Sequence, residues 1–425
     1  MTSDPSALAP PQNATAPSEA ALRFLQLSAR LLLEYNVRSK SLERRIDRIA
    51  RHVGVNVQTV VGYRDVTLAL ADGRAIHARA PELRINVAVS AGALHVIDEL
   101  CLGRIGLDEA MKRLETLEHR APRHGRWLVA ILFALAASAI AWLLRADWGA
   151  IVVSGVSSAL GLIARRELAR RSEILFVQPF MAGLIGALIG GLAIRLGWTQ
   201  TPGLCLIVPA LMLVPGPHLI NGVYDMLENH MQTGVCRLAL AVAILTATAL
   251  GVVLGGWLTL GPAAVSTSPS EAVRLTLPLD VVLAGVAACG FGAFYNAPWR
   301  VLWVSILCGT VGHGLRYLSL DHWSVGISTL FACLAIGLIA NAAANRLRLP
   351  FSAVAFAGAV PMMPGVFIYQ SIAGAMRLSA AGAAADPALA AATLALFSES
   401  VFVVAAMAIG LVAGARLANL ATAHG

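Results

Sequence analysis

Val208 to Glu228 reads VPALMLVPGPHLINGVYDMLE. The stretch has the composition of a membrane-spanning helix, yet Pro215-Gly216-Pro217 stands in its middle. Proline removes a backbone donor and clashes with the preceding turn, and glycine tolerates the dihedrals that result. In lipid, the backbone groups so freed must be satisfied by protein, water or a bound molecule. A second apolar stretch, AVAFAGAVPMMPGVFIYQSIAG from residue 353 to 374, breaks in the same way at Pro364-Gly365. Two interrupted helices at matching places in two halves of a chain point to the binding site of a secondary transporter.

The composition around these stretches agrees. The chain has 425 residues, 57% of them hydrophobic and 13% charged, with a mean hydropathy of +0.72. That poverty of charge over such a length implies a polytopic membrane protein. Much of the charge lies in the first 120 or so residues. The net charge of +8 comes almost wholly from arginine and reads as an orientation signal, not as a nucleic-acid footprint. The six cysteines form no CxxC pair and sit mostly in apolar segments, so they read as small hydrophobes without a metal site. No phosphate-binding GxxxxGK[ST] loop occurs, and Lys40 and Lys112, the two lysines, follow no glycine loop. That argues against an ATP-driven pump, and no cofactor is expected. Residues 1–19 lack a basic start and an apolar core, and read as a disordered tail, not a signal peptide.

A small α+β domain is expected over 20–120. Ala20–Glu34 is an amphipathic helix closed by Asn36, and Ser41–His52 is a second, with Leu42, Ile46 and Ile49 on one face. The period then switches to two, with Asp72-Gly73 marking a hairpin. Helices over Ala91–Leu102 and Leu107–Leu117 follow. From Trp127 ten spans are expected, five over 127–258 and five over 279–415, several opening on tryptophan as an aromatic belt does. The breaks fall in the fourth and ninth spans, and five spans per repeat force the second repeat to be inverted. Pro202 precedes Pro215 by 13 residues, and Pro350 precedes Pro364 by 14. With the soluble domain inside, 11 arginines, Arg237 among them, fall on cytoplasmic loops and 5, Arg316 among them, on outer loops. Both termini are therefore expected in the cytoplasm.

After the first break His218, Asn221, Asp225 and Glu228 share one helix face, and a polar stripe in an apolar helix must face protein or water. The bland alternative makes Asp225 and Glu228 solvated interfacial residues. Gln370 lies six residues after Pro364, as Asn221 lies six after Pro215, and Tyr369 stands beside it. The helix that restarts at the first break is expected to offer unsatisfied N–H groups to a substrate carboxylate. The candidate substrate set is thus Pro215, Gly216, His218, Asn221, Pro364, Gly365, Tyr369 and Gln370. Asp225 and Glu399 are the candidate proton-coupling acids. Asn341 and Asn345 read as packing or lining residues. Gly183, Gly186, Gly190, Gly191, Gly309 and Gly312 read as sites of close helix approach.

These motifs resemble the threonine/serine exporter family over nearly the whole chain after the tail. Pro215-Gly216, Asn221-Gly222 and Asp225 are similar to that family's Pro-Gly-x-x-x-x-Asn-Gly-x-x-Asp, and Pro364-Gly365 to its second Pro-Gly. Ile85-Asn86, Glu99-Leu100 and Gly103 through Glu109-Ala110 are similar to the closing pattern of its cytoplasmic domain. Asn36 and Leu42-Glu43 stand where the family has Gly and Val-Glu. The resemblance implies proton-driven export of small polar amino acids such as threonine and serine from the inner membrane of a bacterium. It also brings in dicarboxylates such as succinate, exported by related split members. The expected partners are a small-molecule substrate, protons and the lipid bilayer, with no nucleic acid; a homo-oligomer is compatible with this. Two other classes fit the sequence less well, a membrane-bound enzyme using Asp225 and His218, and a membrane-anchored receptor. The first lacks a nucleophile or metal-ligand set, and mere anchoring does not explain polar-lined broken helices.

Overall fold

The computed structural model describes residues 18–121, 123–171, 174–261, 274–347 and 351–423. The tail over 1–17, Pro350 and most of the segment between the two halves lie outside the described residues. The chain forms two compact units, one of residues up to 84 together with 92–121, the other of residues 85–91 together with 122–425.

In the first unit α1 (Glu19–Glu34) is capped by the Ser18 hydroxyl, which accepts from the Ala21 N–H. It ends at Asn36, whose left-handed backbone (φ 58°) lets the N–H groups of Asn36 and Val37 reach back to Leu33 and Leu32. The expected second helix is α2 (Ser39–His52), with Leu42, Ile46 and Ile49 wholly buried. β1 (Val57–Val61), β2 (Asp65–Leu70) and β3 (Ala75–Arg79) form an antiparallel meander in the order β1-β2-β3. Gly73 (φ 86°) makes the turn between β2 and β3, and alternation on β2 buries Val66, Leu68 and Leu70. α3 (Val87–Cys101) and α4 (Leu107–His119) complete it, and Asp98 on α3 pairs with Arg45 and Arg48 of α2. α3 begins four residues earlier than its sequence pattern indicates. Its start belongs to the second unit, where Asn86 accepts from the side chain of Asn296.

The second unit is helical. Its first half holds α5 (Arg126–Leu143), α6 (Trp148–Leu168), α7 (Val177–Arg195), α8 (Pro202–Leu211), α9 (Gly216–Leu227) and α10 (Met231–Leu260). Its second half holds α11 (Leu277–Phe294), α12 (Trp299–Ser319), α13 (Val325–Leu347), α14 (Phe351–Ala359), α15 (Gly365–Ala381) and α16 (Pro387–Ala423). Among the described residues eight helices are long and apolar enough to cross a membrane. Two further pairs bend at short breaks, α8 with α9 by 59° and the α14 region with α15 by 57°, so the spans number up to ten. The chain is a multi-pass membrane protein.

The halves use the same pairings. α7 packs on α10 as α13 packs on α16, in each case by glycines that let backbone touch backbone. A Cβ on Gly251 would stand 2.1 Å from the Phe180 carbonyl, and one on Gly414 2.1 Å from that of Leu334. α9 packs on α10 as α15 does on α16, and α5 and α11, the first helices of the two halves, pack on each other. Asn341 and Asn345 both donate to the Asn419 side chain, so they tie α13 to α16.

Candidate functional site

The two breaks meet. A Cβ on Gly216 would lie 2.4 Å from the Met363 methyl, and one on Gly365 2.7 Å from a Leu211 methyl and 3.5 Å from Val214. Each glycine thus receives the residues that precede the other break. The Tyr369 hydroxyl donates to the Ala210 carbonyl at 3.1 Å, binding α15 to the end of α8. That carbonyl also accepts from the Leu213 N–H, so it satisfies two donors where the helix stops.

Position is fixed from both sides. Thr201, just before α8, and Thr199 donate to the Asp147 side chain at 2.5 and 2.6 Å. Asp147 also caps α6 through the Gly149 N–H. Burial pushes the Asp147 carboxyl up, but the hydrogen bonds from Thr199, Thr201 and Gly149 outweigh it and hold the group below the usual carboxylate range.

The first break closes on itself. Pro215 (φ −78°, ψ 60°) makes an inverse γ-turn in which the Gly216 N–H reaches the Val214 carbonyl at 2.8 Å. The His218 and Leu219 N–H groups both donate to the Pro215 carbonyl, and Pro217 has no donor. The expectation that the start of α9 holds donors out to a ligand is therefore corrected: the turn consumes them. The second break differs. Pro364 (φ −79°, ψ 39°) follows a short 3-10 turn, Val360–Met362, and the first donor of α15 to find an acceptor is Ile368, on the Pro364 carbonyl. Among the described residues, the N–H groups of 365–367 have no such partner.

Past the first break the polar stripe is buried, not solvated. Asp225 is 0% exposed and its carboxylate lies 3.2 Å from the Arg237 guanidinium, also 0% exposed. The local sequence builds this pair. Asn229 adopts a left-handed backbone (φ 68°), and the His230 N–H returns to the Asp225 carbonyl at 2.7 Å, turning the chain straight from α9 into α10. Gly222 and Gly234 then let the helices touch, each placing the other's carbonyl within 3.1 Å of where a Cβ would stand. Arg237, counted from sequence as a loop charge, is in the protein interior. His218 and Asn221 are buried in the same region, His218 within electrostatic reach of Arg237 and Arg165, and Glu228 is half-buried at the end of α9.

On the other side of the breaks lies a cavity of about 280 Å³. Leu211, Val214, Met363 and Gly365 form its inner wall. Its outer part carries charge: Asp280 on α11, His313 and Arg316 on α12, Arg145 just past the end of α5 and Arg274 just before the start of α11. Asp280 and His313 are buried and hydrogen-bonded to each other. Arg274 pairs with Asp321. Arg316, counted from sequence as a loop charge, belongs to the last turn of α12 and lies within electrostatic reach of Asp280 and Glu399. Of the sequence candidates, Gly365 lines this cavity; Gln370 on α15 and Glu399 on α16 are half-buried and are not among its lining residues. Asp280, His313 and Arg316 were missed. The available signal was depth: Asp280 near the start of α11 and His313 near the end of α12 fall at one level of two adjacent antiparallel helices.

Residues 23–258 match the family model described as "Putative threonine/serine exporter", and residues 280–416 the one described as "Threonine/Serine exporter, ThrE". The chain belongs to the threonine/serine exporter family. It is 26% identical over 240 residues to the "Probable succinate transporter subunit YjjP" of Klebsiella aerogenes, covering 55% of this chain and 92% of that one. It is 25% identical over 290 residues to the "Probable threonine/serine exporter" of Mycobacterium tuberculosis, covering 65% and 54% of the two chains. With the "Threonine/serine exporter" of Corynebacterium glutamicum it shares 21% identity over 329 residues, 76% of this chain and 67% of that one. No solved structure matches the chain.

Proposed function

We propose that the protein is a secondary active exporter of small polar amino acids, threonine and serine first, in the inner membrane of a bacterium. The observation that carries this reading is the meeting of two bent spans at their Pro-Gly breaks, with a cavity on one side and a sealed charged layer on the other. Broken helices crossing near the bilayer midplane are where transporters hold substrate. The repeated pairings of the two halves support an inverted repeat of five spans each, and rocking of one repeat against the other would alternate access. In this reading the cavity is on the outer side and the Asp225–Arg237 layer, like both termini, on the inner side, as the bias of the remaining loop arginines favours. Cysteines substituted at Arg166 and Asp321, in a protein whose six native cysteines are replaced, should then label from inside and outside respectively. Labelling of both from one side contradicts the topology.

Residues Pro215, Gly216, His218, Asn221, Pro364, Gly365, Tyr369 and Gln370 form the proposed passage. Asp225, buried beside Arg237, and Glu399, half-buried on α16, are the acids proposed to carry the coupling proton, since ionisable residues inside membrane spans mark proton and substrate paths. Replacing the coupling acid by its amide should abolish accumulation driven by a pH gradient and spare exchange. Accumulation in both Asp225→Asn and Glu399→Gln excludes both. A dicarboxylate such as succinate is the second reading, favoured by the near-complete coverage of the succinate transporter subunit. Counterflow in proteoliposomes tests the proposal: the wild-type protein should exchange labelled for unlabelled L-threonine or L-serine. Exchange of succinate alone favours the second reading, and no exchange of any of them removes both.

A further inference from the structure

The outer cavity combines three features, and it shares Gly365 with the proposed passage. Its volume, about 280 Å³, lies just under the usual range of ligand pockets, roughly 300–1,000 Å³, and suits a metabolite of a few carbons with some water. The Arg316 Nε is buried and, among the described residues, meets no hydrogen-bond acceptor. A guanidinium donor left in that state is costly unless something fills it. The start of α15 is the third feature. Gly365 and Val366 line the same cavity, their N–H groups have no backbone partner among the described residues, and a helix start carries a partial positive charge. Arg145 adds positive charge to the lining, and Arg274 is already paired with Asp321. Asp280, buried and bonded to His313, is the one carboxylate among the lining residues.

We propose that this cavity is a carboxylate-binding chamber in which Arg316 and the start of α15 hold a substrate carboxylate while Asp280 faces the substrate's second charged group. The inference rests on the transporter reading and names the residues that would select the cargo. Both amino acids and dicarboxylates bring a carboxylate to Arg316. They differ in their second charged group, where Asp280 favours an ammonium and repels a second carboxylate. Arg316 presents a planar fork matched to a carboxylate, which lysine replaces only as a point charge.

The test uses the full chain, with binding measured calorimetrically in lipid nanodiscs and counterflow in proteoliposomes. The probes are L-threonine, L-serine, succinate and L-threoninol, which lacks the carboxylate. Wild-type protein should bind threonine or succinate and ignore threoninol. Arg316→Gln should weaken every carboxylate by roughly tenfold or more, the loss expected on removing a charged hydrogen bond, and Arg316→Lys should lie between. Asp280→Asn should shift preference from threonine toward succinate. Should Arg316→Gln fail to fold, alkylation of a cysteine at Val366 in otherwise intact protein replaces it, and saturating L-threonine or succinate should slow the reaction. Well-folded Arg316 variants with wild-type affinity, threoninol binding equal to threonine, or alkylation indifferent to both carboxylates would overturn the chamber. An unchanged threonine-to-succinate ratio in Asp280→Asn overturns the role of Asp280. Absence of counterflow by wild-type protein is a separate result and counts against the transporter reading itself.

Discussion

The two broken spans bend almost equally, by 59° and 57°, yet they have been furnished differently. The first is followed by His218, Asn221 and Asp225, all buried, and is sealed by Arg237 on the next helix. The second is followed by Tyr369, Gln370 and Ser371, and by no charge until Arg377. Ten residues after Pro215 stands Asp225; ten after Pro364 stands Gly374, packed against Thr393 of α16. The start of the first restarted helix has spent its donors on its own turn, whereas the start of the second opens on the cavity. The bend therefore comes from Pro-Gly and from reciprocal packing of the glycines, and not from the buried charges. What these charges add is a buried ion pair after the first break, where the second has none. Two breaks that share a bend and differ in chemistry are what the proposed passage, open on one side and closed on the other, requires.

Three sets of substitutions probe that division, in decreasing order of effect. Asp225→Leu or Arg237→Met alone should cost about 3–5 kcal/mol, because each leaves an uncompensated buried charge, and the double variant should regain most of it. Thermal unfolding in detergent reads this; equal loss in single and double variants would mean that packing, not charge, seals the first half. At the matching place in the second half, Gly374→Ala would bring a Cβ within 2.2 Å of the Thr393 hydroxyl and should cost about 1–3 kcal/mol by overpacking. Adding Thr393→Ala should relieve it, and no relief would place the strain elsewhere. Tyr369→Phe removes the bond that joins the two broken spans and should cost about 1 kcal/mol in the same thermal unfolding.

A fourth sharpens the comparison at the edge of the first span. Asp147→Asn should cost about 1 kcal/mol near neutral pH, in the range of a lost helix cap. The folded-state carboxyl lies below its unfolded value near 3.8, so its contribution is present above that pH and fades as pH falls through the folded value. The difference between variant and wild type should therefore shrink in strong acid. A difference that grows there would mean that the carboxyl is not held ionised by Thr199 and Thr201.

The elements were legible because their causes are local. Hydropathy marked the spans, Pro215-Gly216 and Pro364-Gly365 marked the bends, and Asn36 and Gly73 marked the end of α1 and the β2–β3 turn where the backbone turns left-handed. What remained hidden depends on long-range placement. Arg237 reads as a loop residue until the Asn229 turn and the Gly222–Gly234 contact carry it beside Asp225. Asp280 and His313 are 33 residues apart and single charges in apolar runs, and only the pairing of α11 with α12 joins them. The expected donors at the start of α9 were wrong for a subtler reason. Proline does free the backbone, but an inverse γ-turn at Pro215 reclaims it, and nothing in the sequence separates that turn from the more open one at Pro364.

Threonine binding by the two break variants, Pro215→Ala/Gly216→Ala and Pro364→Ala/Gly365→Ala, tests the central claim most directly. An interior proline costs about 3 kcal/mol in a helix and glycine about 1 relative to alanine, so continuous helix is locally favoured in both. If the meeting breaks shape the passage, each variant should express as a folded protein, bind labelled L-threonine far more weakly than wild type and fail in counterflow. The loss should be larger for the second, whose helix start lines the cavity. Wild-type binding and exchange in both double variants would mean that the breaks are packing kinks and that the passage lies elsewhere.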